Sequence, residues 1–175
     1  MQWFSVAQIV GYVSFLLGAV AFLQRSDQRM KLWLVGQSAT YAIHFLLLGN
    51  PAAAAISVVS GTRSYVATRS KSLLVAAAFI VLSFGVGFAF AGRGPGWLPV
   101  AASIAATVAM FTMSGVPLRL VMLGATSLWL ANDVLSRSIG GTALESMIAA
   151  TNLWTIIRMV REPQAMPSGL AAEAD

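Results

Sequence analysis

The sequence predicts an all-α membrane protein with seven transmembrane helices, arranged as two parallel three-helix repeats joined by a linker helix (three, one, three). Three observations carry this expectation. The 175-residue chain is 58% hydrophobic and only 10% charged, with a mean hydropathy of +0.78, whereas a soluble domain carries about 25% charged residues. Apolar stretches recur along it between short polar or Gly/Pro-rich breaks, at lengths near those needed to cross a bilayer. The text of residues 31–69 also returns, 88 to 89 positions later, at 119–158.

The first span covers 4–23, with Gln8 and Ser14 as its polar points and Gly11 and Gly18 as small contact points. It lacks a basic leader and a small-residue cleavage site, so it reads as a retained span. After a short basic loop, spans 32–49 and 51–68 meet at Asn50-Pro51, a corner short enough to make them antiparallel neighbours. The Ala52–Ala55 run permits close helix contact. Span 73–91 holds no ionisable residue and reads as the linker. A Gly/Pro-rich turn with Trp97 follows, then spans 97–114 and 118–135, separated by Gly115 and Pro117. Gly140-Gly141 reads as a hinge before span 142–160, and the tail reads as disordered. The expected domains are 1–72, 73–91, 92–161 and a flexible cytoplasmic tail at 162–175. The rival count is six spans.

The duplication rests on paired landmarks. Lys31 matches Arg119, Gly36 matches Gly124, Ser38 matches Thr126, Tyr41 matches Trp129, and His44 matches Asn132. After a one-residue insertion, Arg63 falls on Asn152, Tyr65 on Trp154, and Arg69 on Arg158.

Charge sets the expected orientation. Arg25, Arg29, Lys31, Arg69, Lys71, Arg119, Arg158 and Arg161 fall on one side, and Arg93 and Arg137 on the other. By the positive-inside rule the N-terminus is periplasmic and the C-terminus cytoplasmic. The net charge of +5 does not point to nucleic acid, because the basic residues punctuate apolar runs and form no stripe. With no cysteine and one histidine, the sequence argues against disulfides, thiol chemistry and a zinc site. No nucleophile–base–orienter set or phosphate loop is visible, so no enzyme activity, cofactor or metal is expected.

Polar residues inside apolar spans are the candidate site. Arg63 lies about eleven residues into its span, roughly 17 Å along the axis. It either lines a cavity and attracts an anion or snorkels to the cytoplasmic interface. Asn152 sits near mid-span and can donate and accept. Arg63 and Asn152, as matched residues, are expected to face one central cavity from the two units. Tyr65 and Trp154, two residues further on, turn to other faces. Tyr41 with His44, and Trp129 with Asn132, each share a helix side. His44, Asp133 and Glu145 are candidates for ion or proton coupling; His44 and Asn132 could equally bridge helices.

The three-one-three plan resembles the SWEET and PQ-loop transporter superfamily. The text GQSATYAIHFLLLGNPAAAAISVVSGTRSYVATR is more closely similar to the YgjV-like bacterial inner-membrane family, with the likeness running through residues 1–161. The first resemblance implies a central site with polar residues on the third and seventh helices, here Arg63 and Asn152. Arg63 departs from the asparagine of the pattern, and the proline-glutamine corner is replaced by Asn50-Pro51 and Gly115-Val116-Pro117. The second resemblance implies the bacterial inner membrane.

The expected function is small-solute transport by alternating access through a cavity between the two units. The alternative is a non-enzymatic membrane scaffold or regulatory partner. Expected partners are the lipid bilayer and a small solute, with an anion suggested by Arg63. Homo-oligomer formation stays open.

Overall fold

The hydrophobic runs fold as helices with short corners, as the periodicity requires. The computed structural model describes residues 4–23, 27–113 and 115–161. Among them are seven α-helices: α1 (Val6–Leu23), α2 (Asp27–Leu47), α3 (Pro51–Val66), α4 (Leu73–Val86), α5 (Trp97–Thr112), α6 (Gly115–Leu135) and α7 (Ile139–Arg161). A π-helical turn, Gly87–Ala91, extends α4. There Gly87 lies under Trp97, where a Cβ would come within 2.7 Å of the indole. Arg25, the side chain of Lys31 and the tail 162–175 fall outside the described residues.

α1 packs on α2 and α7, α2 on α3, α3 on α5, α5 on α6, and α6 on α7. Six helices therefore close a ring. α4 packs on α3 and α5 and buries only Ala76, Phe79 and Ser83. Small residues let the ring close: Ala52, Ala53 and Ala54 are buried on α3, and Ala102, Ala106 and Ala109 on α5. The large rings Phe88 and Trp154 point outward, 80% and 69% exposed, as a lipid-facing surface allows.

The expectation of seven transmembrane helices is corrected. Among the described residues, only two segments, Leu73–Ala91 and Gly115–Leu135, are long and apolar enough to cross a membrane. The apolar parts of α1, α2 and α5 are Val6–Ala21, Leu32–Leu47 and Trp97–Thr112. At 1.5 Å per residue, sixteen residues reach about 24 Å against a hydrocarbon core of about 30 Å. α3 has 16 residues and contains Arg63, and α7 carries Glu145, Asn152, Arg158 and Arg161. The sequence reading placed several spans near the lower length limit and still counted them as crossing.

Two boundaries also move. α6 starts at Gly115 (φ 62°) and takes Pro117 into its first turn, where a missing N–H costs nothing. Gly140 and Gly141 lie inside the first turn of α7 and are no hinge.

The chain ends sort by contact. Gln8 at the start of α1 donates from Nε2 to the Arg137 carbonyl at 2.9 Å and accepts from Ile139 N at 3.1 Å, so α1 and α7 begin side by side. The α2–α3 corner and the α4–α5 turn share that end, because Asn50, Pro95, Gly96 and Ser136 line one cavity. Arg69, Lys71, Arg119, Arg158 and Arg161 belong to the opposite end of the helices that carry or precede them.

Candidate functional site

The site begins at two corners built alike. α2 ends with Gly49 at φ 73° and the Asn50 N–H bonded to the Phe45 carbonyl at 2.9 Å. α6 ends with Arg137 at φ 56° and the Ser138 N–H bonded to the Asp133 carbonyl at 2.8 Å. Both are left-handed caps that satisfy terminal carbonyls. The next residue caps the following helix in each case. Asn50 Oδ1 accepts from Ala53 N at 3.0 Å, and Ser138 Oγ accepts from Gly141 N at 3.1 Å.

Each capping side chain also reaches across the ring. Asn50 Nδ2 donates to Asn132 Oδ1 and to Ser136 Oγ, both at 2.9 Å. Ser138 Oγ lies 2.7 Å from His44 Nε2. His44 Nδ1 is 2.6 Å from the Ala7 carbonyl. A carbonyl only accepts, so Nδ1 carries the proton. Ser138 then donates to Nε2 while accepting from Gly141. The cap on Asn50 likewise fixes which way its amide faces, and thereby the amide of Asn132. Asn132 Nδ2 is left buried with no hydrogen-bond partner among the described residues.

Between these contacts lies an aromatic and acidic layer. Tyr41 donates to Asp133 Oδ2 at 2.7 Å. Its ring packs on Phe45 and Trp129, with centroids 4.7 and 5.8 Å apart, and Phe45 stacks on Trp129 at 5.9 Å. Asp133 is 0% exposed and Glu145 7%, and Asp133 Oδ1 has no hydrogen-bond partner among the described residues. Glycines make the layer possible. A Cβ on Gly141 would lie 2.4 Å from Ser138 Oγ and 2.5 Å from the Tyr41 hydroxyl; one on Gly11 would strike His44; one on Gly140 would strike the Gly11 backbone.

A cavity of about 440 Å³ opens beside this layer, lined by Asn50, Phe90, Pro95, Gly96, Asn132 and Ser136 among others. It occupies the gap between the α2–α3 corner, the α4–α5 turn and the end of α6.

The structure thus brings together Tyr41, His44, Trp129, Asn132 and Asp133, with Glu145 one turn beyond Gly141. It places Arg63 and Asn152 elsewhere. Arg63, 5% exposed, is directed at α5: Nη1 donates to the Ser103 carbonyl and Thr107 Oγ1, both at 2.8 Å. Its Nε has no partner among the described residues. Asn152 donates to the Arg119 carbonyl at 3.0 Å and accepts from Arg119 Nη1 at 3.4 Å, both on α6. Neither lines the 440 Å³ cavity. Tyr65 lies under Arg69, whose guanidinium carbon is 5.3 Å from the ring centroid. Sequence reasoning gave no role to Ser138, Asn50 or the Gly140-Gly141 pair beyond corners and hinges. The available signal was a capping residue directly ahead of each helix.

The family model described as bacterial inner membrane protein, Imp-YgjV, matches residues 5–163. The chain belongs to the YgjV family of bacterial inner membrane proteins. It is 37% identical over 161 residues to inner membrane protein YgjV of Escherichia coli (strain K12), covering 92% of this chain and 88% of that relative. No solved structure matches.

Ser138 and His44 have the spacing of a nucleophile and its base, but they are 1% and 0% exposed. Ser138 Oγ is also the cap acceptor of α7, so no substrate atom reaches it. Among the described residues no cluster of three or more His, Cys, Asp or Glu could hold a metal ion.

Proposed function

We propose that this YgjV-family chain is a small-solute transporter whose solute enters the cavity between the two three-helix units. The observation that carries the reading is the cavity of about 440 Å³, whose wall carries polar groups of Asn50, Asn132 and Ser136 and an apolar one from Phe90.

The organisation into units at 1–72 and 92–161 around the linker 73–91 is part of this proposal. It is supported by an interchange. Adding 88 to Asn50 gives Ser138, and subtracting 88 from Asn132 gives His44. The Asn50–Asn132 contact therefore swaps with the Ser138–His44 contact, and Tyr41–Asp133 swaps with Trp129–Phe45. The helix neighbours swap too, α1 on α7 with α5 on α3. This is the arrangement that the SWEET-like resemblance implies. One difference is that Asn132 is shorter than His44, which fills its place against Ala7, and the cavity lies on the Asn132 side. A cytoplasmic C-terminus is supported by Arg158 and Arg161 at the α7 C-terminal end.

Purified protein in proteoliposomes, offered a panel of small solutes, tests the reading. Solute-dependent flux that falls in Asn132→Leu is expected. Folded protein that moves none of them, yet co-purifies with one stable partner, favours the scaffold reading.

A further inference from the structure

We propose that Asp133 and Glu145 form a two-carboxyl site that holds a single exchangeable proton. This deepens the transport reading by naming the coupling ion, and it rests on that reading only for its use.

The two groups are neighbours by construction. Asp133 and Tyr41 press against α7 at Gly141, where a Cβ would lie 2.8 Å from Asp133 Cγ and 2.5 Å from the Tyr41 hydroxyl. Glu145 is four residues further along α7, one turn on and on the same face. Both acids are buried. The Tyr41 hydroxyl gives its proton to Asp133 Oδ2 at 2.7 Å. Oδ1 is the free oxygen, and it is fully enclosed.

Two ionised carboxylates side by side in such a place repel one another and both lose hydration. Among the described residues no fixed cation compensates them. α2 offers Tyr41, already a donor, and His44. The His44 Nδ1 proton is committed to the Ala7 carbonyl, and Nε2 faces Ser138. α1 contributes Tyr12 as its one titratable residue. On α6, Arg119 is near the far end beside Asn152. On α7, Arg158 and Arg161 lie in the last turn. Arg137, at the corner, is exposed. Arg63 on α3 is turned to Ser103 and Thr107.

A proton suits the site better than a metal cation. Hard cations such as Ca²⁺ take about six to eight oxygens, whereas the hydroxyls of Tyr41 and Ser138 are already committed. A proton needs two. Held on Oδ1 of Asp133, it forms a hydrogen bond to the Glu145 carboxylate and reduces the buried charge from two to one. Release breaks that single O–H bond and passes the proton to water by way of Glu145, the acid with residual exposure. The junction of α2, α6 and α7 then carries two like charges, which push α6 from α7 at the cavity end.

Infrared spectroscopy of the full chain in a maltoside detergent, which has no ester carbonyl, reads the site directly. In sodium-free buffer at neutral pH, the wild type should show the C=O stretch of an un-ionised carboxyl, shifted in D₂O. The band should shift or disappear in both Asp133→Asn and Glu145→Gln, because either amide breaks the carboxyl–carboxylate hydrogen bond. Absence of the band in the wild type overturns the proposal. So does an unchanged band in either variant, which marks an isolated buried acid, or its removal by added sodium at constant pH, which marks a cation site. If an amide variant does not fold, Tyr41→Phe decides: the band should persist at a shifted frequency, and an unshifted band overturns the proposal. The measurement uses no flux, so failure of transport and failure of the proton site are read separately.

Discussion

Asn50 and Ser138 stand at corresponding corners and do the same two things. Each accepts a hydrogen bond from the backbone N–H three residues ahead, at 3.0 and 3.1 Å, and each meets a side chain on the helix across the ring, Asn132 or His44. Capping and cross-linking are thus joined in single residues, which ties the start of α3 and of α7 to the last turns of α6 and α2.

The two tasks separate by substitution. Asn50→Asp keeps the acceptor for Ala53 N but loses the donor to Asn132 and Ser136. Asn50→Ala loses both. Loss of a cap costs about 1 kcal/mol, so Asn50→Ala should melt lower than Asn50→Asp, and both below wild type, in thermal unfolding of detergent-purified protein. Equal melting of all three would remove Asn50 from the account of stability.

The glycines give a sharper contrast. Gly141→Ala places a methyl within 2.5 Å of Ser138 Oγ and the Tyr41 hydroxyl, whereas Gly124→Ala meets nothing within 4 Å. An alanine in an open helical position stabilises by about 0.5–1 kcal/mol. Overpacking costs about 1–3 kcal/mol. The two variants should therefore move the melting temperature in opposite directions. A Gly141→Ala protein as stable as wild type contradicts the close approach of α2, α6 and α7.

Much of this was legible in the sequence, and the misses have physical causes. Helix order, the Asn50-Pro51 corner and the pairing of Tyr41 with Trp129 were readable because apolar runs and landmark residues survive in one dimension. Arg63 and Asn152 were expected to face one cavity because they are matched. In the structure Tyr41 and Trp129 are 5.8 Å apart, whereas Arg63 faces α5 and Asn152 faces α6. Gly140-Gly141 read as a hinge because sequence shows a missing side chain but not the Tyr41 hydroxyl that fills its place. The span count failed because runs taken to be just long enough fold as shorter helices: α3 and α5 have 16 residues each.

Orientation is checked by fusion. A reporter that works only in the cytoplasm should be active after Arg161 and inactive in the turn at Arg93. The basis is the grouping of Arg69, Lys71, Arg119, Arg158 and Arg161 at one end, against Arg93 and Arg137 at the other. The reverse pattern of activity inverts the proposed topology, and activity at both positions places both ends on one side.

Arg63 offers the last test. Its guanidinium is buried at the α3–α5 contact, bonded to a carbonyl and a hydroxyl at 2.8 Å, with no carboxylate among those partners and Nε unused. A guanidinium stays charged in proteins, so this end of the ring holds a positive charge that its neighbours solvate but do not neutralise. Hydrogen bonds to charged groups contribute about 1.5–3 kcal/mol. Arg63→Gln should therefore lower the melting temperature, and Arg63→Lys less so, because an ammonium keeps the charge but not the planar fork. If the charge also attracts an anionic solute, inorganic phosphate or a small carboxylate should raise the wild-type melting temperature; a ligand at a hundred times its Kd adds about 2.7 kcal/mol. That rise should be absent in Arg63→Gln and partly kept in Arg63→Lys. A fall in stability with an unchanged anion response makes Arg63 a strut between α3 and α5 and moves any anion site elsewhere. Unchanged stability together with an unchanged response removes Arg63 from both roles.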